Sequence, residues 1–211
     1  MADPLGYTRR EAQHLKNAGA TTFSSVGLVA PTASAITNVD DDTGPLGQFT
    51  TTSSSGNTAG VVTAFSVLRR AWAPEWVARV KTGASVADVG LWAGLFSASP
   101  DNAADPAVHV AGFRYYTSTD GTAFWRCVTK DGTTTTVTTT TVAVTADTAY
   151  TLRVDARESG NVRFYINSIL VATHTTNLPG SSTPLGWAVR VSTLAAAIKN
   201  LKYSRAWLSH A

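Results

Sequence analysis

The stretch AYTLRVDARESGNVRFYINSILVATHTTNLP, residues 149–179, decides the fold. Tyr150, Leu152 and Val154 fall on one side of an extended chain, with Thr151, Arg153 and Asp155 on the other. That is the period of a strand with one buried face. Arg157 to Asn161 supplies a polar turn containing Gly160, after which Val162, Phe164 and Ile166 alternate with Arg163, Tyr165 and Asn167. A second turn at Asn167-Ser168 leads into residues 169–174, so the segment reads as a β-meander. A two-residue hairpin turn calls for positive φ, which serine accepts less readily than glycine, so Ser168 leaves the turn type open.

Working outward, strand-like runs precede the meander at 61–70, 76–81, 89–97, 108–117, 123–130 and 134–144. Turn signals separate them at Ala73-Pro74, Thr82-Gly83, Ser99 to Asn102, Asp120-Gly121 and Asp131-Gly132. The threonine run 133–141, broken only by Val137, suits an exposed or edge strand, because threonine is a good strand former. Upstream, Thr8-Arg9-Arg10-Glu11 fits a capping box and predicts a short helix to about Ala18, stopped at Gly19. Residues 20–60 are rich in Thr, Ser, Gly and Ala, with apolar islands too sparse for a core of their own. The reading is a division into a helix and extended arm over 1–57, anchored by Leu15, Phe23, Leu28, Val29 and Ile36, and a β-sandwich over 58–211.

A chain of 211 residues with 44% hydrophobic content can bury a full core as one all-β domain. The formal charge is +3 with only 15% charged residues, so the basic balance reflects scarce carboxylates and does not point to nucleic acid. No apolar run of about 18 residues is present, which argues against membrane insertion. The lone Cys127 cannot form an intrachain disulfide and reads as a small buried hydrophobe, leaving the redox compartment undetermined. His14, His109, His174 and His210 have no zinc-site spacing, and no Gly-x-Ser-x-Gly anchors a nucleophilic triad. Asp40-Asp41-Asp42 and the loop holding Asp101 and Asp105 are the two calcium candidates, with a solvated turn the ordinary reading of each.

The aromatic residues divide by strand phase. Phe65, Trp76, Phe113, Phe124, Tyr150, Phe164 and Trp187 fall at expected core positions. A second set includes residues that alternation places on the opposite face, among them Trp72, Tyr116, Trp125 and Tyr203. From this set Trp92, Tyr115, Tyr165 and Trp207 are the candidates for stacking on a glycan or a neighbouring subunit.

Together with residues 112–144, 184–191 (PLGWAVRV) and 198–208 (IKNLKYSRAWL), the meander resembles the concanavalin A-like (laminin-G/lectin) jelly-roll domains of tailed-bacteriophage structural proteins. The resemblance spans about Thr58 to Leu208 and departs from the family in having Asn167-Ser168 where Asp-Gly is usual. It implies an antiparallel jelly-roll β-sandwich and a virion component, as capsid decoration or a tail- or fibre-associated protein. The implied partners are other virion proteins and further copies of the chain, with a trimer as the implied homo-oligomer. The absence of a basic-then-apolar leader suits synthesis in a host cytoplasm and release by lysis. The alternative is a carbohydrate-binding module for host-surface glycan. Hydrolases of this fold place paired carboxylates about 5 to 10 Å apart on a strand. Here Glu11, Glu75 and Glu158 are the only glutamates, in an expected cap, turn and hairpin loop, so no enzyme and no cofactor is expected.

Overall fold

The computed structural model describes residues 11–14, 28–29, 35–41, 44–63, 65–66, 68–100, 102–121 and 123–209, with side chains from residue 47 onward except 204–207. The strands are β1 (Glu11–His14), β2 (Leu28–Val29), β3 (Ala35–Asp41), β4 (Gly44–Thr50), β5 (Thr58–Thr63), β6 (Leu68–Arg69), β7 (Glu75–Thr82) and β8 (Val89–Phe96). They continue as β9 (His109–Tyr116), β10 (Phe124–Asp131), β11 (Thr135–Ala143), β12 (Ala149–Asp155), β13 (Val162–Ile166), β14 (Ile169–His174), β15 (Pro184–Thr193) and β16 (Asn200–Ser209). One four-residue helix, α1 (Thr117–Asp120), interrupts them. No helix among the described residues is long and apolar enough to cross a membrane.

The strands form two antiparallel sheets. The first runs β14-β13-β12-β7-β16-β4-β3, with β1 also on β16; the second runs β11-β10-β9-β8-β15-β5-β2, with β6 on β15. Their facing sides enclose one aromatic-rich core of Trp76, Trp125, Trp187, Phe113, Phe164 and Tyr203 among aliphatic residues. Phe113 meets Phe164 edge-on at 5.5 Å, Trp125 meets Tyr150 at 5.5 Å, and Trp187 stacks on Tyr203 at 5.9 Å. Each such pair adds about 0.5–1.5 kcal/mol beyond the area it buries. The fold is an all-β jelly-roll sandwich.

The two sheets differ on their outer sides, and this difference positions the site. In β7, β12 and β13 burial alternates with period two, so the first sheet has one dry face and one face open to water. In β8 and β9 almost every residue is buried. The second sheet is covered outside by the strap of residues 97–108, beneath which Val62, Trp92, Phe96, Val110, Val128 and Ala188 form a second small core.

Several expectations change in the structure. Glu11–His14 is a strand paired with Arg205–Leu208, not part of a helix. A short, weakly amphipathic helix gains little from tertiary packing, whereas the free ladder of β16 satisfies the same amides. Residues 8–10 and 15–18 lie outside the described residues. Ile36 sits in β3 opposite Phe49, and Leu28 and Val29 pair with Thr63 and Val62 on β5. Leu15 and Phe23 lie outside the described residues. The β3–β4 hairpin is the margin of the first sheet, and Phe49 is fully buried in the main core against Tyr203. Phe124, expected in the core, is 39% exposed, and Trp125 takes the inward position instead.

Asn167 and Ser168 have φ of 50° and 70°, the two positive values of a type I′ hairpin turn. Asn167 ties the turn down by accepting the Thr151 amide on Oδ1 at 2.9 Å and donating its own amide to Thr151 O. Serine bears strain at this φ that glycine lacks, partly offset by the looser unfolded chain of glycine. Ser168→Gly is expected to stabilise the domain by about 0.5 kcal/mol in urea unfolding.

A polar seam closes the sandwich where β11 meets β14. Thr129 Oγ1 donates to Thr176 O at 3.2 Å, so it accepts from His174 Nδ1 at 2.9 Å, and the Thr138 hydroxyl lies at hydrogen-bond distance, 2.9 Å, from Nε2. A neutral imidazole protonated at Nδ1 fits this network. Burial holds its pKa below the ordinary 6.5. A depressed histidine pKa contributes stability that is fully present above 6.5 and is lost as pH falls through the folded value. The melting temperature is therefore expected to drop between about pH 6.5 and pH 5, with a flatter profile in His174→Gln.

Candidate functional site

The open face of the first sheet carries charged and polar side chains around the partly exposed Tyr165. Strand register places Tyr165, Arg153, Val77 and Trp207 in one row across β13, β12, β7 and β16. Three strand spacings separate its ends, about 14 Å. The guanidinium of Arg153 lies over the Tyr165 ring at 4.4 Å and fixes the ring's tilt. The next row is Thr151, Arg79 and Arg205, and the one beyond is Ala149, Lys81, Lys202 and Gln48.

On the other side of the aromatic row, Asp155 and Glu75 are direct cross-strand partners. Glu75, expected in a turn, stands on β7 with an acidic cross-strand neighbour, because the pairing joins residues far apart in sequence. Two arginines lock this pair. Arg153 Nε lies 2.6 Å from Glu75 Oε1 and its Nη2 3.0 Å from Asp155 Oδ2. Arg157 Nη2 lies 2.7 Å from Asp155 Oδ2 and 3.6 Å from Glu75 Oε1. Burial works against ionisation of Asp155, but the hydrogen bonds and charge of Arg157, with Arg153 beside it, leave its pKa lowered. A general acid needs the opposite shift. Glu158 is likewise held ionised, by Asn161 and by its ion pair with Arg163.

Two of the four candidate aromatics are not on this face. Tyr115 points into the main core and donates its hydroxyl to Val86 O at 3.1 Å. Trp92 lies under the strap and donates its indole N–H to Ala103 O at 3.0 Å. Both are almost fully buried and unavailable for stacking on a ligand. In a sheet buried on both faces the alternation of apolar residues has no wet side, so it cannot say which phase points out. Tyr165 stands on the open face, and Trp207 shares its row by register. The cations around them, Arg79, Arg153 and Lys202, were not singled out from the sequence. For Arg79 the signal was the alternation of charged and apolar residues in EWVARVKT, residues 75–82.

The strap turns its oxygens inward. Pro100 O accepts from Arg190 at 3.1 Å, Ala104 O from Arg114 at 2.6 Å, and the Asp105 carboxylate pairs with Lys130 at 2.8 Å. Side chains of the protein thus occupy these oxygens of the loop that holds Asp105. Arg114 is pinned in turn by Asp120, Nε to Oδ2 at 2.8 Å, and lies 5.8 Å from the Trp92 ring centre. Among the described residues no group of three or more His, Cys, Asp or Glu could hold a metal ion. Asp101 and Asp42 lie outside the described residues. Cys127 is buried, and burial pushes its thiol pKa up, so it is no nucleophile.

No family model matches the chain, and no curated protein matches it in sequence. Solved structures match it in fold. A protein of unknown function from Shewanella oneidensis MR-1 superposes with a TM-score of 0.70 at 8% identity, over 95% of this chain and 85% of that one. An endo-β-1,4-glucuronan lyase from the fungus Trichoderma reesei gives 0.60 at 9% identity, over 97% and 96%. A carbohydrate esterase from the Shiga toxin-encoding bacteriophage phi24B gives 0.58 at 16% identity, over 90% and 93%. The Emp46p carbohydrate recognition domain and the carbohydrate-binding module CBM66 of Bacillus subtilis share the architecture. The chain is therefore a jelly-roll sandwich of the concanavalin-like kind, a fold that hosts sugar-binding domains and sugar-cleaving enzymes alike. At these identities the likeness defines the fold, and function rests on the site.

Proposed function

We propose that this protein is a non-catalytic carbohydrate-binding module that receives its ligand on the open face of the first sheet. The observation that carries this reading is the row through Tyr165 and Arg153. There a half-exposed aromatic ring, braced by a guanidinium, sits among polar side chains in a fold shared with lectin-type domains. Flat aromatic faces stack on the C–H faces of sugar rings, while Arg, Gln and Thr side chains supply directional hydrogen bonds to hydroxyls. The carboxylate pair Glu75 and Asp155 supports binding over cleavage. Both are tied to arginines, and the lowered pKa of Asp155 is the opposite of what a general acid needs.

A glycan array identifies the ligand, and Tyr165→Ala checks the site. The variant is expected to lose about tenfold in affinity, the worth of one aromatic stacking contact, with its melting temperature little changed. Glycan binding that survives Tyr165→Ala unaltered removes the site from this face, and turnover of the bound glycan replaces the module with an enzyme.

The setting we infer is a bacteriophage particle, with the module as a capsid-decorating or tail-associated component. The sequence resemblance supports this, and a phage-borne protein shares the fold. Co-sedimentation of the protein with intact particles tests it, and a protein that stays in the soluble fraction contradicts it.

A further inference from the structure

We propose, resting on the sugar-binding reading, that the ligand is a saccharide bearing a methyl group, at C6 of a deoxy sugar or on an acetyl substituent, and that Leu170 receives this methyl beside the Tyr165 ring. Leu170 on β14 is the register partner of Tyr165 and therefore stands on the same open face. It is 52% exposed, and the tyrosine beside it is partly exposed. Among the described residues β14 is the last strand of the first sheet, so no neighbouring strand covers Leu170 from that side. The other exposed large apolar side chains, Trp72, Phe124, Val137 and Ile198, lie off the strands of this sheet, apart from Ile169. Leu170 is thus an aliphatic group left in water next to the one ring on which a sugar is expected to stack.

Register also decides which side of the ring a ligand uses. Arg153 reaches the ring from β12, its guanidinium 4.4 Å from the centroid, so one π-face is already taken by a cation. A stacked sugar has the other face. Leu170 comes from β14, which flanks β13 on the side away from Arg153. A sugar hydroxyl pressed against Leu170 loses its water without gaining a hydrogen bond, which lowers affinity. A methyl in the same place takes apolar surface of both partners out of water, an effect of about fourfold in affinity for each methyl covered. Ring hydroxyls elsewhere on the sugar find polar neighbours in Thr151 and in Thr173, the register partner of Arg163. Ile169 supplies the contrast. It is 67% exposed, but it pairs with the core residue Ile166 and so has the opposite phase along β14 from Leu170.

Titration calorimetry of the full chain tests this with two matched pairs of probes. Chito- and cello-oligosaccharides differ by an acetamido group in place of a hydroxyl, and L-rhamnosides and L-mannosides by the missing hydroxyl at C6. In at least one pair the methyl-bearing member is expected to bind about tenfold tighter, one methyl being covered and the burial of one hydroxyl avoided. The pair that shows the preference tells an acetyl methyl from a deoxy-sugar methyl. Leu170→Ser is expected to erase the preference with its melting temperature little changed, and Ile169→Ser to keep it. Methyl-bearing members that bind no tighter than their counterparts, with all binding lost in Tyr165→Ala, overturn the methyl-bearing ligand while keeping the sugar-binding reading. A preference that survives Leu170→Ser, or that Ile169→Ser removes equally, overturns the proposal by taking the methyl away from Leu170. Failure of all four saccharides to bind overturns the proposal and counts against the sugar-binding reading itself.

Discussion

Gly94→Ala is expected to destabilise the protein by about 3 to 5 kcal/mol, a large fraction of the ordinary stability of a native domain. Gly94 lies in β8 at φ 150°, a conformation that side-chain-bearing residues rarely adopt. A Cβ there would stand 2.5 Å from Gly112 Cα and 2.6 Å from Ala111 O, both backbone atoms of β9. Gly94 and Gly112 are register partners, so the clash sits inside the ladder and cannot be relieved by turning a side chain. Backbone strain contributes about 1–3 kcal/mol and overpacking a similar amount. The control is Gly160→Ala, where nothing lies within 4 Å and the change is expected to stay within about 0.5 kcal/mol. Urea unfolding of the two variants separates them, and a Gly94→Ala protein as stable as the parent would show that β8 and β9 do not pair in this register.

Phe164→Ala is expected to cost about 3 to 5 kcal/mol by opening a cavity between the sheets. The ring is fully buried on β13 and packs edge-on against Phe113 of the facing sheet at 5.5 Å and against His174 at 5.0 Å. Its loss removes contacts from both layers at once. Thr138→Ala is the comparison, and it reaches further than a surface threonine would. Its hydroxyl serves His174 Nε2, so removal is expected to cost about 1 kcal/mol. Equal losses in the two variants would place Phe164 outside the core.

The meander over 149–174 was legible because the first sheet has a dry face and a wet one, so that Tyr150, Leu152 and Val154 separate cleanly from Thr151, Arg153 and Asp155. The second sheet offered no such contrast. Its strands are covered on both sides, and Phe124 and Trp125, or Trp92 and Ala93, could be exchanged in phase without altering the visible pattern. The strap that buries Trp92 is a polar, proline-containing loop, and its packing depends on Arg114, Lys130 and Arg190 reaching its oxygens. The N-terminal capping box was a genuine local signal, but at Glu11–His14 a ladder with β16, almost two hundred residues away, prevails. Tyr165 was read as outward-facing from its strand alone. The rest of the candidate site was hidden because β12 pairs with β7 and β7 with β16, joining residues near 77, 153 and 207 that no spacing rule connects.

The central claim is that a saccharide is held on the open face of the first sheet. Amide chemical-shift mapping during titration with the bound glycan tests it most directly. The account predicts shifts concentrated at Arg163 and Tyr165, Thr151 and Arg153, Val77 to Lys81 and Lys202, with the strap residues 97–108 and the second sheet unmoved. Shifts centred on the strap, or on the β11–β14 margin, with the β12 and β7 amides unchanged, would contradict it.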